Sequence, residues 1–190
     1  MYAQVIVDVP TMQTNQPYTY AVPEALTEVL AVGMRVVVPF GRGNRLIQGF
    51  VVGFVTAVKE ATELKAIESV VELEPVLNEE LLDLGQWLAE TNFAFRISVL
   101  QTMLPNVMRA KYSKTFQLVA PNGLANEPDV QVLFADRSEI PFNETEIAPE
   151  LLPKLQRLQR AGVLQVGYVV DNRATAKTVL AMKPLLSAGE

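Results

Sequence analysis

The sequence predicts an α+β protein: a small N-terminal β-barrel-like domain with accessory helices, then a second domain built from a helix and a hairpin. Three observations lead there. Short β-branched runs punctuated by proline or glycine fill the first 55 residues. Leucine-rich stretches at helical spacing follow, near residues 79–103 and 151–160. Between them, from Asn106 to Pro128, the composition shifts and periodicity fades, which marks a boundary. The division expected is 1–108 for the first domain, 109–127 for a strand and linker, and 128–190 for the second.

The first strand candidate is Ala3–Val9, which alternates in part and stops at Pro10. Tyr18–Val22 is the second, closed by Pro23; Met34–Val38 is the third, between Gly33 and Pro39. Leu46–Val55 is the fourth, with Gly49 and Gly53 suggesting bends or bulges. Such short strands separated by turn residues indicate a small sandwich or barrel. A helix then opens at Asn78, a suitable N-cap, with Glu79 and Glu80 where the helix dipole favours acids. Leu81, Leu82, Leu84, Trp87 and Leu88 follow at helical spacing, and Trp87 is expected in the core. A second helix is expected over Ile97–Met103, stopped by Pro105.

In the last part, Asn143–Ala148 is expected as a short helix. Leu151, Leu152, Leu155 and Leu158 make one apolar helix face, with Gly162 as its C-cap. Val163–Val170 and Lys177–Met182 then read as strands joined around Asp171-Asn172-Arg173. Helix, glycine, then hairpin is the end of a winged helix, with the hairpin as the wing.

Composition narrows the function. Of 190 residues 49% are hydrophobic, enough for a packed core. There is no cysteine, hence no disulfide, thiolate nucleophile or cysteine-ligated zinc in these residues. There is no histidine either, which removes the commonest general base and every Ser-His-Asp arrangement. No signal peptide opens the chain and no apolar run is long enough to span a bilayer, so a cytoplasmic protein without membrane contact is expected.

Net charge is −5, but it is unevenly spread. No acid occurs between Val29 and Lys59, where Arg35, Arg42 and Arg45 lie, nor between Thr91 and Asn126, where Arg96, Arg109, Lys111 and Lys114 lie. Local positive stretches in an acidic chain can meet phosphates, because nearby charges set the surface field. The plainer alternative is solvated strand edges and loops. Lys154, Arg157 and Arg160, on the helix face away from the leucines, are further candidates for phosphate contact or for a solvated face. Glu60, Glu63, Glu68, Glu72 and Glu74 are expected in solvent, without a partner to raise one of them for acid/base work.

No phosphate-binding Gly-x-x-x-x-Gly-Lys-Ser/Thr loop occurs, and Gly41-Arg42-Gly43 lacks the third glycine and the following helix of a dinucleotide site. Arg35-Val36-Val37-Val38-Pro39-Phe40-Gly41 is more specific: a strand that ends abruptly in a turn whose glycine admits a ligand close to the backbone. Arg42 and Arg45 flank that turn.

This stretch resembles a known family. Val5-Ile6-Val7-Asp8-Val9-Pro10, Pro17-Tyr18-Thr19-Tyr20 and Val32–Gly41 are similar to the start of the primosomal helicase family PriA. So are Gln48–Val52, Leu64-Lys65, Glu74-Pro75-Val76-Leu77 and Leu104-Pro105. The resemblance covers residues 1 to about 115 in order; residues 127–190 match by architecture, since a winged helix follows in that family. It implies a domain that holds the 3′ end of the nascent leading strand at a stalled or branched fork, for primosome assembly, while the winged helix touches duplex arms.

The family implies a terminal-nucleotide pocket at Tyr18, Thr19, Tyr20, Gly41 and Lys65, with candidate phosphate contacts at Arg42, Arg45, Lys154, Arg157 and Arg160. Thr19 departs from the family pattern, in which the middle of the triplet is Asp, and its neutral hydroxyl gives a weaker bond to a 3′-hydroxyl. The resemblance also implies that this is the N-terminal part of a longer helicase chain. It implies no catalysis and no cofactor in these residues, with ATP, magnesium and zinc belonging to the absent helicase region. Primosome proteins and single-stranded-DNA-binding protein would be met through the full-length chain. The reading from a different class is a protein-interaction module, a β-barrel plus winged helix that docks partner proteins.

Overall fold

The computed structural model describes residues 1–57, 64–105, 108, 113–124, 127–135, 137–142 and 147–169. Four N-terminal strands form close to where they were expected: β1 (Tyr2–Val7), β2 (Tyr18–Ala21), β3 (Arg35–Phe40) and β4 (Arg45–Val55). Pro39 does not stop β3, because its nitrogen faces away from β4 and costs the β3–β4 ladder no hydrogen bond. A short β5 (Ser69–Val70) has no counterpart in the sequence reading. The five strands make one antiparallel sheet in the order β2-β1-β4-β3-β5. A bulge between Gln4 and Val5 shifts the register of β1 on β4.

The sheet is open; the described ladder does not close into the expected barrel. Its two ends are nonetheless served by one segment. Ala21 of β2 bridges Ala66, and the same segment continues into β5, which pairs with β3.

The run Val5-Ile6-Val7 is apolar throughout because β1 is covered on both faces. Ala3, Val5 and Val7 join the main core, whereas Ile6 joins a second cluster with Phe50, Leu77, Leu82, Ile97 and Leu100. Those last residues come from β4, a loop, and helices α1 (Glu79–Thr91) and α2 (Arg96–Thr102). Asn78 caps α1 as expected, its Oδ1 accepting from the Leu81 N–H at 2.9 Å. Asn15, distant in sequence, accepts from the Arg96 N–H at 2.7 Å and so caps α2. Trp87 is 59% exposed and not in the core: α1 packs through Leu82, Gly85 and Ala89, which places Trp87 on the opposite side. Gly85 lets the helices approach closely there, since a Cβ would lie 2.6 Å from the end of the Leu100 side chain, which would have to shift.

The second sheet holds β6 (Ser113–Leu118), β7 (Glu139–Phe142) and β8 (Leu164–Val169) in the antiparallel order β7-β6-β8. The strand expected within 109–127 is thus the middle strand of this sheet. Helix α3 (Pro128–Phe134) follows β6, with no counterpart in the sequence reading. Helix α4 (Leu152–Arg160) buries Leu152, Leu155 and Leu158 and ends at Gly162, whose φ is +72°. Ile147 and Ala148, the described part of the expected 143–148 helix, are not helical. The rest of that segment and the second hairpin strand, 177–182, lie outside the described residues. Among the described residues, no helix is long and apolar enough to cross a membrane.

The two sheets share one hydrophobic cluster, with Val36 and Leu73 on one side and Phe116 and Leu155 on the other. Gln156, buried on α4, donates through Nε2 to the carbonyls of Leu73 (2.5 Å) and Val29 (3.2 Å). Glu72 lies at the same seam. It was expected in solvent but is 8% exposed, because it accepts both Nε and Nη2 of Arg35 and the Lys114 Nζ at 2.9 Å. Arg35 also donates to the Met108 carbonyl (2.7 Å), and Lys114 to that of Val71 (2.6 Å).

Removing one member of a buried ionic network strands its partners. Glu72→Ala is therefore expected to lower the unfolding free energy in a urea titration by about 3–5 kcal/mol. A loss below about 1 kcal/mol, the range of exposed pairs, would show that the network is not a buried support.

Candidate functional site

Tyr18, Thr19, Tyr20, Gly41 and Lys65, separated widely in sequence, line one cleft of about 310 Å³. Pro39, Phe40 and Leu64 complete its lining. Three backbone features bring them together. β2 is an edge strand whose outer side is open at Thr19 and is taken up at Ala21 by the segment after Leu64. The β3–β4 hairpin places Gly41 at its loop, with Phe40 paired to Arg45. The segment after Leu64 is fastened to β2 by two bonds, Ala21 N–H to the Lys65 carbonyl (2.9 Å) and Ile67 N–H to the Ala21 carbonyl (3.0 Å).

Each residue has a distinct place. Tyr18 stands edge-on to Phe40, with ring centroids 5.2 Å apart and planes at 90°, and its hydroxyl donates to the Gln13 carbonyl at 3.1 Å. The pair forms the aromatic wall. Tyr20 is 3% exposed and donates to the Pro39 carbonyl at 3.3 Å, so it ties β2 to β3 beneath the cleft and offers no open ring face. Burial, helped by the nearby Tyr18, pushes its phenol up to about 12.

Thr19 sits between the two tyrosines. Ala21 turns its N–H and C=O away from β1, and antiparallel pairing alternates, so Thr19 presents its own backbone polar groups to the same open edge. Gly41 has φ +68°, a conformation that favours glycine, and a Cβ there would meet nothing within 4 Å. Lys65 Nζ donates to the Gly41 carbonyl at 2.5 Å, leaving further donors on the ammonium.

Arg42 and Arg45 lie exposed on the hairpin beside Gly41. Among the described residues, neither is in a salt bridge. The α4 cations differ. Lys154 pairs with Asp129 at 2.6 Å, a hydrogen bond that raises its pKa; Arg157 pairs with Glu127; Arg160 pairs with Glu74 at 2.7 Å. The structure thus gathers the five pocket residues and keeps Lys154, Arg157 and Arg160 apart from them, each with an acid.

Sequence reasoning passed over Leu64 as a lining residue, and Phe40 as the partner of Tyr18. The second was signalled by the Pro-Phe-Gly run. A slightly larger cavity, about 350 Å³, lies between β4 and α2 and is lined by Asp8, Gln48, Ser98 and Gln101 among others. It holds none of the five, and Asp8 lines it instead of the Thr19 cleft.

The family described as the 3′ DNA-binding domain (3′BD) of PriA matches residues 4–105, more than half of the chain and all five cleft residues. The chain belongs to the PriA family. It is 39% identical over 188 residues to the replication restart protein PriA of Bacillus subtilis (strain 168), a match that takes in 94% of this chain. It spans 22% of the length of that relative. Lys154, Arg157 and Arg160 fall beyond the PriA 3′BD match but inside the B. subtilis PriA alignment.

The raised Tyr20 pKa has a consequence for stability. The phenol is neutral when protonated and holds its proton more tightly in the folded chain. Its contribution is complete below pH 10 and is lost as pH climbs toward about 12. Denaturant unfolding across that window should show a falling stability that is flatter in Tyr20→Phe; identical slopes would contradict the buried placement of the hydroxyl.

Proposed function

We propose that this chain binds branched replication-fork DNA by holding the 3′-terminal nucleotide of the nascent leading strand in the Tyr18–Lys65 cleft, as the recognition part of a replication-restart helicase. The gathering of the five residues around one open-mouthed cleft carries this reading. In it, the terminal base lies against the Tyr18–Phe40 wall, an aromatic contact worth roughly 1–3 kcal/mol per base. Gly41 lets sugar and backbone approach without a Cβ in the way. Lys65 turns from the Gly41 carbonyl toward a phosphate, and Arg42 and Arg45 meet the strand behind it. None of these contacts reads a base edge, so the cleft selects an end and not a sequence.

The β7-β6-β8 unit with α4 serves as the winged helix, touching a duplex arm through Lys154, Arg157 and Arg160. Those cations would exchange their carboxylates for phosphates, which favours a small and salt-sensitive contribution. The chain itself performs no catalysis. ATP-driven unwinding, with its ATP, magnesium and zinc, belongs to the helicase region of the whole protein, and so does recruitment of primosome proteins and single-stranded-DNA-binding protein. The setting is the bacterial cytoplasm.

A protein-docking reading is favoured by one observation, the exposure of Trp87 (59%) and Leu84 (44%) on α1, away from the cleft. Fluorescence anisotropy separates the two. On forks whose leading strand ends at the junction, affinity should exceed that on forks lacking the strand, and should fall as salt rises. Tyr18→Ala and Lys65→Ala should each remove about tenfold of that advantage, on the scale of one stacking or charged contact. Trp87→Ala should change nothing. Equal affinity with and without the strand end would overturn the end-holding reading.

A further inference from the structure

We infer that the cleft takes a 3′-phosphorylated strand end at least as well as a 3′-hydroxyl end. The inference rests on the end-holding reading above and specifies the chemistry of the end. Among the described residues, no carboxylate lines the cleft, and the one charged group in its lining is the Lys65 ammonium. Arg42 and Arg45 add positive charge on the adjoining loop, in salt bridges with no described residue. Thr19 contributes, from the open strand edge, a backbone N–H that can donate to a phosphate oxygen.

The floor is fixed, with Tyr20 buried and bonded to the Pro39 carbonyl, but the mouth is open. Gly41 leaves empty space where a Cβ would stand. A terminal phosphate carries a charge of nearly −2 near neutral pH. In a cleft with an acid such a group would be repelled; among the described residues the lining of this one carries the Lys65 ammonium and no carboxylate. Position 19 is therefore the specificity-determining residue. With threonine there, the hydroxyl end gains no charge-assisted bond and the phosphate end meets no repulsion.

The test compares three otherwise identical forks by anisotropy with the 190-residue chain: leading strand ending in 3′-hydroxyl, ending in 3′-phosphate, and absent. The phosphate end should bind as tightly as the hydroxyl end or up to about tenfold tighter, the range of one charge-assisted contact, with any advantage shrinking as salt rises. Thr19→Asp should weaken the phosphate fork by about tenfold relative to the hydroxyl fork, through like-charge repulsion. Lys65→Ala should weaken the phosphate fork more than the hydroxyl fork, which gives a readout independent of the Thr19→Asp variant. Any reproducible wild-type preference for the hydroxyl end would overturn the inference while leaving end-holding intact. An unchanged ratio in both variants would overturn it too. Equal binding of all three forks would overturn end-holding itself, and the inference with it.

Discussion

The segment from Lys65 to Val71 is hydrogen-bonded to both ends of the first sheet, and the cleft depends on that double attachment. At one end Ala21 donates to the Lys65 carbonyl and accepts from Ile67; at the other, Glu68 and Val71 donate to the carbonyls of Val37 and Arg35. β2 and β3 are not neighbours in the sheet, since β1 and β4 lie between them. Without the segment, Tyr18 and Gly41 would belong to separate parts of an open sheet. With it, Lys65 is delivered to the Gly41 carbonyl and the two strands become facing walls. The hydroxyl of Tyr20 reinforces the same closure from below.

Immediately after this segment the chain enters the seam between the sheets. Glu72 takes up Arg35 of β3 and Lys114 of β6, and the Leu73 carbonyl accepts from Gln156 of α4. One stretch of backbone therefore sets both the cleft and the docking of the second sheet. Buried ion networks add little stability for their cost in desolvation, yet breaking one is expensive. That asymmetry suits a joint that must hold one geometry. It joins the strand that bears the cleft to the sheet that carries α4.

Much of this was legible in the sequence where local chemistry decides. Pro10, Pro23 and Gly33 delimit strands, Asn78 caps α1, and the leucines and Gly162 define α4, because backbone conformation and apolar spacing act over a few residues. Trp87 was not legible: α1 carries apolar residues around much of its circumference, and the face it buries, Leu82, Gly85 and Ala89, is decided by packing against residues distant in sequence such as Leu100. Glu72 reads as one more acid in an acidic stretch, since its cations stand 37 and 42 positions away. β6 looked like the strand of a linker because only its partners, β7 and β8, reveal it as the middle of a sheet. The ion pairs of Lys154, Arg157 and Arg160 were hidden for the same reason.

The pocket residues came from a different kind of signal. Composition marks Tyr18 and Tyr20 as ordinary strand aromatics and Lys65 as one of many surface cations; the family motifs selected them, and the fold then placed them side by side. The most direct test of that convergence is a backbone-amide NMR titration with a short single-stranded oligonucleotide carrying a free 3′ end. Shift changes centred on residues 18–20, 40–41 and 64–66 are expected, with α1 and α4 largely unmoved. Changes centred on Trp87 or on α4, with the cleft silent, would contradict the account.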